Sequence, residues 1–359
     1  MADLERIQAA LRFVIHPAYG RSIVDLGLVQ DLAADEGLVR FKLQNTVPRS
    51  GRAESVLRAA VEAAQAAAPD ARVEADLTAS ARANPAGASG KGSIEGVSNI
   101  IPVASGKGGV GKSTVSANLA LALAATGAKV GLMDADVYGP SIPHIMGARE
   151  GPRHGGRGII PVETHGIPII STGFFVRKDQ AVVWRGPMLA KMVEQLTNQV
   201  EWGLLDYLVI DLPPGTGDVQ LSLCQRLALT GAVVVTTPQP MAVNVAEKAI
   251  IMFQQLKTPI LGVVENMSYF ESRATGEREY IFGSGGADRI AQQWSIPVLG
   301  RVPLATTVRE TSDEGTPIVL AEPDAPASRA FLEVGKQLAA EVAMHNLKAE
   351  GESMVKITF

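Results

Sequence analysis

The sequence predicts a doubly wound α/β domain built on a mainly parallel sheet, preceded by a smaller α/β domain. Three observations carry this. From residue 99 onward, short continuous apolar runs alternate with helical stretches. The first of those runs leads directly into a glycine-rich loop ending in Gly-Lys-Ser. Ahead of it lies a Gly/Ala/Ser-rich stretch in which no apolar period survives. Continuous apolar strands belong to parallel sheets covered on both faces, and such sheets bind ligands beyond the carboxyl ends of their strands. The chain has 359 residues, enough for one large domain and one small one.

In chain order, Leu4, Ile7, Ala10, Leu11 and Val14 recur at helical spacing, and Pro17 ends that helix. Residues 23–32 and 38–43 read as two strands joined by the turn Ala34-Asp35-Glu36-Gly37. Residues 52–68 favour a helix, and 72–77 alternate as a third strand. This small domain occupies residues 1–78. Residues 79–98 form a flexible linker by composition. Its Gly90-Lys91-Gly92 imitates a phosphate loop but has no strand before it. The large domain spans 99–345. Its strands are expected at 100–104, 130–133, 207–210, 233–237, 260–264 and 298–302, and its helices at 113–125, 219–229, 242–256 and 287–294. Residues 331–347 are amphipathic with mixed charge, and 346–359 are left as a C-terminal tail.

Composition narrows the function. Lys and Arg number 33 against 37 Asp and Glu, a net charge of -4. Proteins that neutralise many phosphates carry a basic excess, so nucleic acid is not an expected partner. The start, Met-Ala-Asp-Leu-Glu-Arg, lacks the basic-then-apolar order of a secretory signal. The run from Ala117 to Ala125, broken by Asn118, is far shorter than the about 20 residues of a membrane span. A cytoplasmic protein without membrane contact is therefore expected. The single cysteine, Cys224, excludes a disulfide framework within the chain and any site of four cysteines from one chain.

The chemistry concentrates in Ser105-Gly106-Lys107-Gly108-Gly109-Val110-Gly111-Lys112-Ser113-Thr114. Gly106 to Ser113 fits G-x-x-x-x-G-K-[ST] between a strand and a helix. The glycines let successive N–H groups face one centre, and the helix adds the positive end of its dipole, so the loop cradles phosphates. Lys112 supplies charge to the β- and γ-phosphates of ATP, and the Ser113 hydroxyl suits Mg²⁺. Lys107 occupies a position that the general pattern leaves free. It is either a solvated charge on a turn or a lysine that reaches the nucleotide of a facing subunit. Asp136, in Met133-Asp134-Ala135-Asp136, is a candidate to orient the attacking water. Asp134 and Asp136 also suit turn or cap roles. Asp211 ends the apolar strand Leu208-Val209-Ile210-Asp211 and suits the acid beside Mg²⁺. Leu212-Pro213-Pro214-Gly215-Thr216-Gly217-Asp218 reads as a switch loop. His144 stands near the first loop, but as a lone histidine it reads as structural.

The loop from Gly106 to Thr114 resembles the deviant Walker A of the MinD/ParA/nitrogenase-iron-protein class. More narrowly, the chain resembles the Mrp/ApbC family of iron–sulfur cluster carrier ATPases. The runs that carry this are Asp134 through Pro143, Trp184-Arg185-Gly186-Pro187-Met188, Asp206 through Asp218, Glu265-Asn266-Met267-Ser268-Tyr269-Phe270 and Ile281-Phe282-Gly283-Ser284-Gly285-Gly286. Residues 1–78, with Gly20 through Val29, resemble the small iron–sulfur-assembly domain that many members carry. The resemblance implies an ATP-hydrolysing homodimer that passes a [4Fe–4S] cluster to apo-proteins or works with assembly scaffold proteins. It implies that Lys107 acts across the dimer and that Asn266 contacts the adenine.

One departure bears on the cluster. Members of the family commonly carry Cys-x-x-Cys shortly after the Asn-Met-Ser-Tyr-Phe run, and here Glu271 to Tyr280 contains no cysteine. The small domain also has none near Thr46-Val47-Pro48. Cys224 is the only thiol left as an iron ligand, and its apolar helical stripe favours a buried, inert side chain. Any cluster would then need carboxylate, histidine or external thiol ligands. Two other readings stand beside the carrier: a cluster-free, nucleotide-gated scaffold for assembly partners, and a spatial organiser of the MinD or ParA kind.

Overall fold

The computed structural model describes residues 4–17, 20–35, 37–45, 51–79, 81, 83–85, 92–156, 158–175, 186–272 and 275–356. The small domain runs α1 (Leu4–Arg12), β1 (Ile15–His16), β2 (Arg21–Ser22), β3 (Val29–Asp35), β4 (Leu38–Asn45), α2 (Gly51–Ala67) and β5 (Arg72–Ala79). β3 and β4 pair antiparallel, and β5 joins β4 in parallel. Ile7, Leu11, Ile23, Leu26, Phe41, Ala60 and Ala64 fill its core.

The first strand differs from expectation. Residues 23–28 form a turn closed by Leu26 N–H to Ser22 C=O and by Gly27 at φ 63°. β3 begins at Val29 and absorbs Ala34 and Asp35. Ile23, Leu26 and Leu28 are buried one after another, a spacing that a two-residue period cannot supply. A bulge at Asp31, φ 53°, shifts the register between Gln30 and Ala33.

The large domain continues with β6 (Ile100–Ser105), α3 (Lys112–Ala125), β7 (Val130–Asp134), α4 (Ile142–Ile145), β8 (Arg153–His154), β9 (Ile159–Ile160), β10 (Val162–Thr164) and β11 (Ile167–Ser171). Then follow α5 (Gly186–Asn198), β12 (Tyr207–Asp211), α6 (Asp218–Arg226), β13 (Ala232–Thr236), α7 (Pro240–Gln255) and β14 (Ile260–Glu265). The chain ends with β15 (Phe270–Glu271), β16 (Arg278–Glu279), α8 (Gly286–Trp294), β17 (Val298–Arg301), α9 (Thr306–Asp313), α10 (Ile318–Ala321) and α11 (Pro326–Lys356). One eight-stranded sheet has the order β10-β11-β7-β12-β6-β13-β14-β17. Only the edge strand β10 is antiparallel to its neighbour. The doubly wound, mainly parallel architecture is thus the observed one. β6, β7, β12 and β13 are buried at every residue, which is why they read as unbroken apolar runs.

Parts of the frame connect the two domains. Where described, residues 79–98 are docked rather than loose: the Ala81 N–H donates to Asp206, Ala228 donates to the Gly92 carbonyl, and Ile94 is buried. Residues 80, 82 and 86–91 lie outside the described residues. α11 is continuous past residue 345, and at about 1.5 Å per residue its 31 residues span about 46 Å. Phe331, Val334, Leu338 and Val342 pack into the large core, while Ala343, Met344 and Leu347 pack into the small domain. Gly335 lets α11 lie close on α3, since a Cβ there would come within 2.7 Å of Ala122. The expected tail thus continues this helix to Lys356.

Ala343→Asp places a charge in the seam between the two domains, where Ala343 is 2% exposed. It is expected to lower stability by about 2–4 kcal/mol. Limited proteolysis reads the effect as faster cleavage within residues 1–79, while the large domain keeps its nucleotide binding. Unchanged cleavage there would show that the seam does not hold the small domain.

Candidate functional site

The carboxyl ends of β6, β7 and β12 meet at one place, and the glycine-rich loop curls over it. β6 passes directly into the loop, and α3 begins at Lys112 behind Gly111, which is left-handed at φ 77°. Gly109 is left-handed as well, at φ 81°. At Gly106 the backbone of Val245 in α7 presses so close that no side chain fits. Glycine is required there for packing and at Gly109 and Gly111 for conformation.

Lys112 is 6% exposed, and its Nζ lies 2.8 Å from Asp211 Oδ2 and 3.8 Å from Asp136 Oδ2. The Ser113 hydroxyl donates to Asp211 Oδ2 at 2.6 Å, and Ser116 donates to Asp211 Oδ1 at 2.6 Å. Asp211 is fully buried, and this cation and two hydroxyls compensate its charge. Asp136 accepts the Tyr138 and Gly139 N–H groups on Oδ1. Asp134 is fully buried next to it, and burial, then the charge of Asp211, push its carboxyl up to about 7.

Lys107 points elsewhere. Its Nζ donates to Gln239 Oε1 at 3.5 Å, just ahead of α7, and it forms no ion pair among the described residues. Gly108 and Gly109 are exposed beside it. Asn266 follows β14 and donates from Nδ2 to the Val110 carbonyl at 2.8 Å. That bond fixes the amide orientation. Glu265 holds this corner in place by accepting from Ser268 Oγ and from the Ala287 N–H at the start of α8.

An open cleft of about 450 Å³ joins these residues. The loop, Asp136, Asn266, Leu304, Val308 and Arg309 are among its lining residues. The volume suits a small-molecule ligand. Val110 is buried beneath the loop, and Thr114 lines the cleft at the first turn of α3. The site therefore gathers Gly106 through Thr114, Asp136, Asp211 and Asn266. Ser113 and Asp211 are hard oxygen donors within hydrogen-bond distance of each other, a pair that fits Mg²⁺ with phosphate and water oxygens completing the shell.

The candidate iron-ligand role of Cys224 does not hold, and the inert reading of its stripe does. This cysteine lies in α6, 6% exposed, packed among Val219, Leu223 and Leu227. Burial pushes its thiol up to about 12, so the thiolate that iron requires is disfavoured. No group of three or more His, Cys, Asp or Glu suited to a metal occurs among the described residues. Among the described residues, then, no ready-made ligand set for a cluster is present within one chain. The sequence reading also missed Ser116 and Gln239. Ser116 had a signal, one helical turn after Lys112 on the same face of α3; Gln239 had none. Trp184 and Arg185 lie outside the described residues, as do Arg273 and Ala274. Among the described residues no helix is long and apolar enough to cross a membrane.

Residues 96–339 match the family model of the NUBPL iron-transfer P-loop NTPases, and residues 4–77 match that of an iron–sulfur cluster assembly protein. The iron–sulfur cluster carrier protein of Synechocystis is 41% identical over 352 residues, covering 96% of this chain and 99% of that protein. A nucleotide-binding protein of Archaeoglobus fulgidus, solved in complex with ADP, is 44% identical. It covers 62% of this chain and 88% of that one, with a TM-score of 0.56. The cell-division ATPase MinD of Pyrococcus furiosus shares the fold at 23% identity and a TM-score of 0.51, covering 67% of this chain and 97% of that one. With the family model spanning well over half of its length, the chain belongs to the NUBPL iron-transfer P-loop NTPase family, joined to an N-terminal iron–sulfur cluster assembly domain.

Proposed function

We propose that the chain is an ATP-hydrolysing iron–sulfur cluster carrier, acting in the cytoplasm as a nucleotide-switched homodimer that assists cluster assembly or delivery to apo-proteins. The observation that carries the nucleotide half is the convergence of Lys112, Ser113 and Asp211 beside an open cleft. The names borne by relatives of nearly full length support the carrier half.

The site's residues have separable tasks. The loop amides and Lys112 bind the phosphates, with the dipole of α3 behind them. Asp211 and Ser113 would hold Mg²⁺, which supplies charge neutralisation on the β- and γ-phosphates. Asp136 keeps Oδ2 on the cleft side and orients water for in-line attack. One N–H of the Asn266 amide is held by the Val110 carbonyl, which leaves Oδ1 and the second N–H as an acceptor–donor pair matching the amino group and adjacent ring nitrogen of adenine. Lys107 acts on the nucleotide of the facing subunit.

One observation favours a second reading. Because Cys224 is buried and held as a thiol, this chain brings no accessible thiolate of its own to a cluster. A cluster-free, nucleotide-gated scaffold for assembly partners follows directly from that. Anaerobic reconstitution with iron and sulfide separates the two. Iron per chain is expected to be the same in wild type and Cys224→Ser, since the thiol is not a ligand. Bound iron that passes to an apo-protein in the presence of ATP supports the carrier. No bound iron, with ATP hydrolysis intact, puts the scaffold in its place. Loss of iron in Cys224→Ser alone would overturn the assignment of Cys224 to the core.

A further inference from the structure

The proposed site leaves one buried acid without a task. Asp134 ends β7, fully buried, in register with Asp211 on β12 and with Ser171 on β11. No cation pairs with it among the described residues; Lys112 is turned to Asp211 and Asp136. A carboxylate buried beside another carboxylate is unfavourable unless donors compensate it. Here they do. Asp134 Oδ1 accepts the Asp136 N–H at 3.1 Å. Its Oδ2 accepts the Ile142 N–H at 3.1 Å and the Ser171 hydroxyl at 2.9 Å.

Those donors are informative in their placement. Asp136 opens the loop that follows β7, and Ile142 is the first residue of α4, where that loop closes. One carboxylate therefore ties both ends of the loop, while Ser171 anchors it to the neighbouring strand. Within the loop, Asp136 turns Oδ1 inward onto the Tyr138 and Gly139 amides. Its carbonyl accepts from Thr172 Oγ1 at 3.1 Å. That leaves Oδ2 facing Lys112. A side chain with one accepting oxygen cannot serve all three donors: in Asn the NH₂ would meet an N–H.

We propose that Asp134 is the positioning residue of this loop, fixing both of its ends so that Asp136 faces the phosphate site in one geometry. The role rests on the reading that Asp136 serves ATP hydrolysis. Asp134 is fully buried and does not line the cleft; it acts through the backbone of Asp136 and Ile142.

The test uses the full chain and two readouts. In Asp134→Ala without nucleotide, amides 136–142 are expected to exchange hydrogen at least about tenfold faster, with β12 and α3 unchanged. In ATP hydrolysis, kcat is expected to fall about tenfold or more while KM stays within about threefold, because the phosphate loop is untouched. Asp134→Asn keeps one accepting oxygen and should lie between Ala and wild type on both readouts. Ser171→Ala removes one of the three donors but keeps both loop-end amides on the carboxylate, so its kcat loss should be smaller than that of Asp134→Ala. Unchanged exchange over 136–142 in a folded Asp134→Asn or Asp134→Ala protein would overturn the proposal. So would a kcat loss no greater than that of Ser171→Ala. If the wild type does not hydrolyse ATP, the proposed function fails, and the exchange measurement still decides whether Asp134 holds the loop.

Discussion

Lys107→Ala is expected to lower ATP turnover by about 10³-fold while the Kd for ATP stays within about threefold. The reason lies in where Lys107 points. It is half-buried at the rim of the loop, its ammonium on Gln239 and not on the carboxylates around Lys112. In the proposed mechanism, phosphate binding is left to Lys112 and the loop amides. Next to this rim Met241 is 70% exposed, and across the cleft loop Tyr138 is 70% exposed. A facing copy of the chain would cover these groups and bring a second Lys107 toward the nucleotide. Complementation tests this directly. Lys107→Ala and Asp136→Asn, each inactive alone, should regain about a quarter of wild-type activity on equal mixing, because half the dimers then hold one complete composite site. If Lys107 acted within its own chain, the mixture would stay inactive. Undiminished hydrolysis by Lys107→Ala would remove the lysine from the mechanism.

The legible parts of this protein are those whose signal is local. The phosphate loop is one unbroken run, in which Gly106 answers to the close approach of Val245 and Gly109 and Gly111 to left-handed turns. Asp211 was readable because it ends a strand buried at every residue. What the sequence concealed is assembled from distant segments. Asp134, Asp211 and Ser171 stand side by side only because β7 lies between β11 and β12. The turn-or-cap reading of Asp134 captured its local amide bond and missed the hydroxyl from the next strand. β11 is not among the expected strands, and a proline such as Pro168 is ordinarily out of place in a central strand. Pro168 faces β10, and pairing with β7 begins only at Ile169, so the proline breaks no bond of that ladder. α11 was read in two pieces because it serves two cores in turn, and its apolar face changes partner after Val342. Cys224 was legible as an inert core residue from its stripe, and its burial agrees.

Lys112→Ala is expected to raise the Kd for ATP at least about a hundredfold. It removes charge-assisted bonds to two phosphates, worth about 1.5–3 kcal/mol each. It also leaves Asp211, fully buried, with two hydroxyls and no cation, and deprives Asp136 of its nearest positive charge. Breaking a buried pair from one side destabilises by about 3–5 kcal/mol, so a fall in thermal stability should accompany the loss of binding. Stability alone would therefore not identify the phosphate-binding lysine. The double variant Lys112→Ala/Asp211→Asn separates the two effects. Neutralising the acid removes the orphaned charge, while one of the Ser113 and Ser116 hydroxyls can still donate to the amide oxygen and the other can accept from the amide NH₂, so much of the lost stability should return. Nucleotide affinity should not, because neither the phosphate charge partner nor the Mg²⁺ acid is restored. Stability and affinity recovering together would mean that Lys112 matters only as the counter-ion of Asp211. Wild-type affinity in Lys112→Ala would remove the phosphate loop from the nucleotide site altogether.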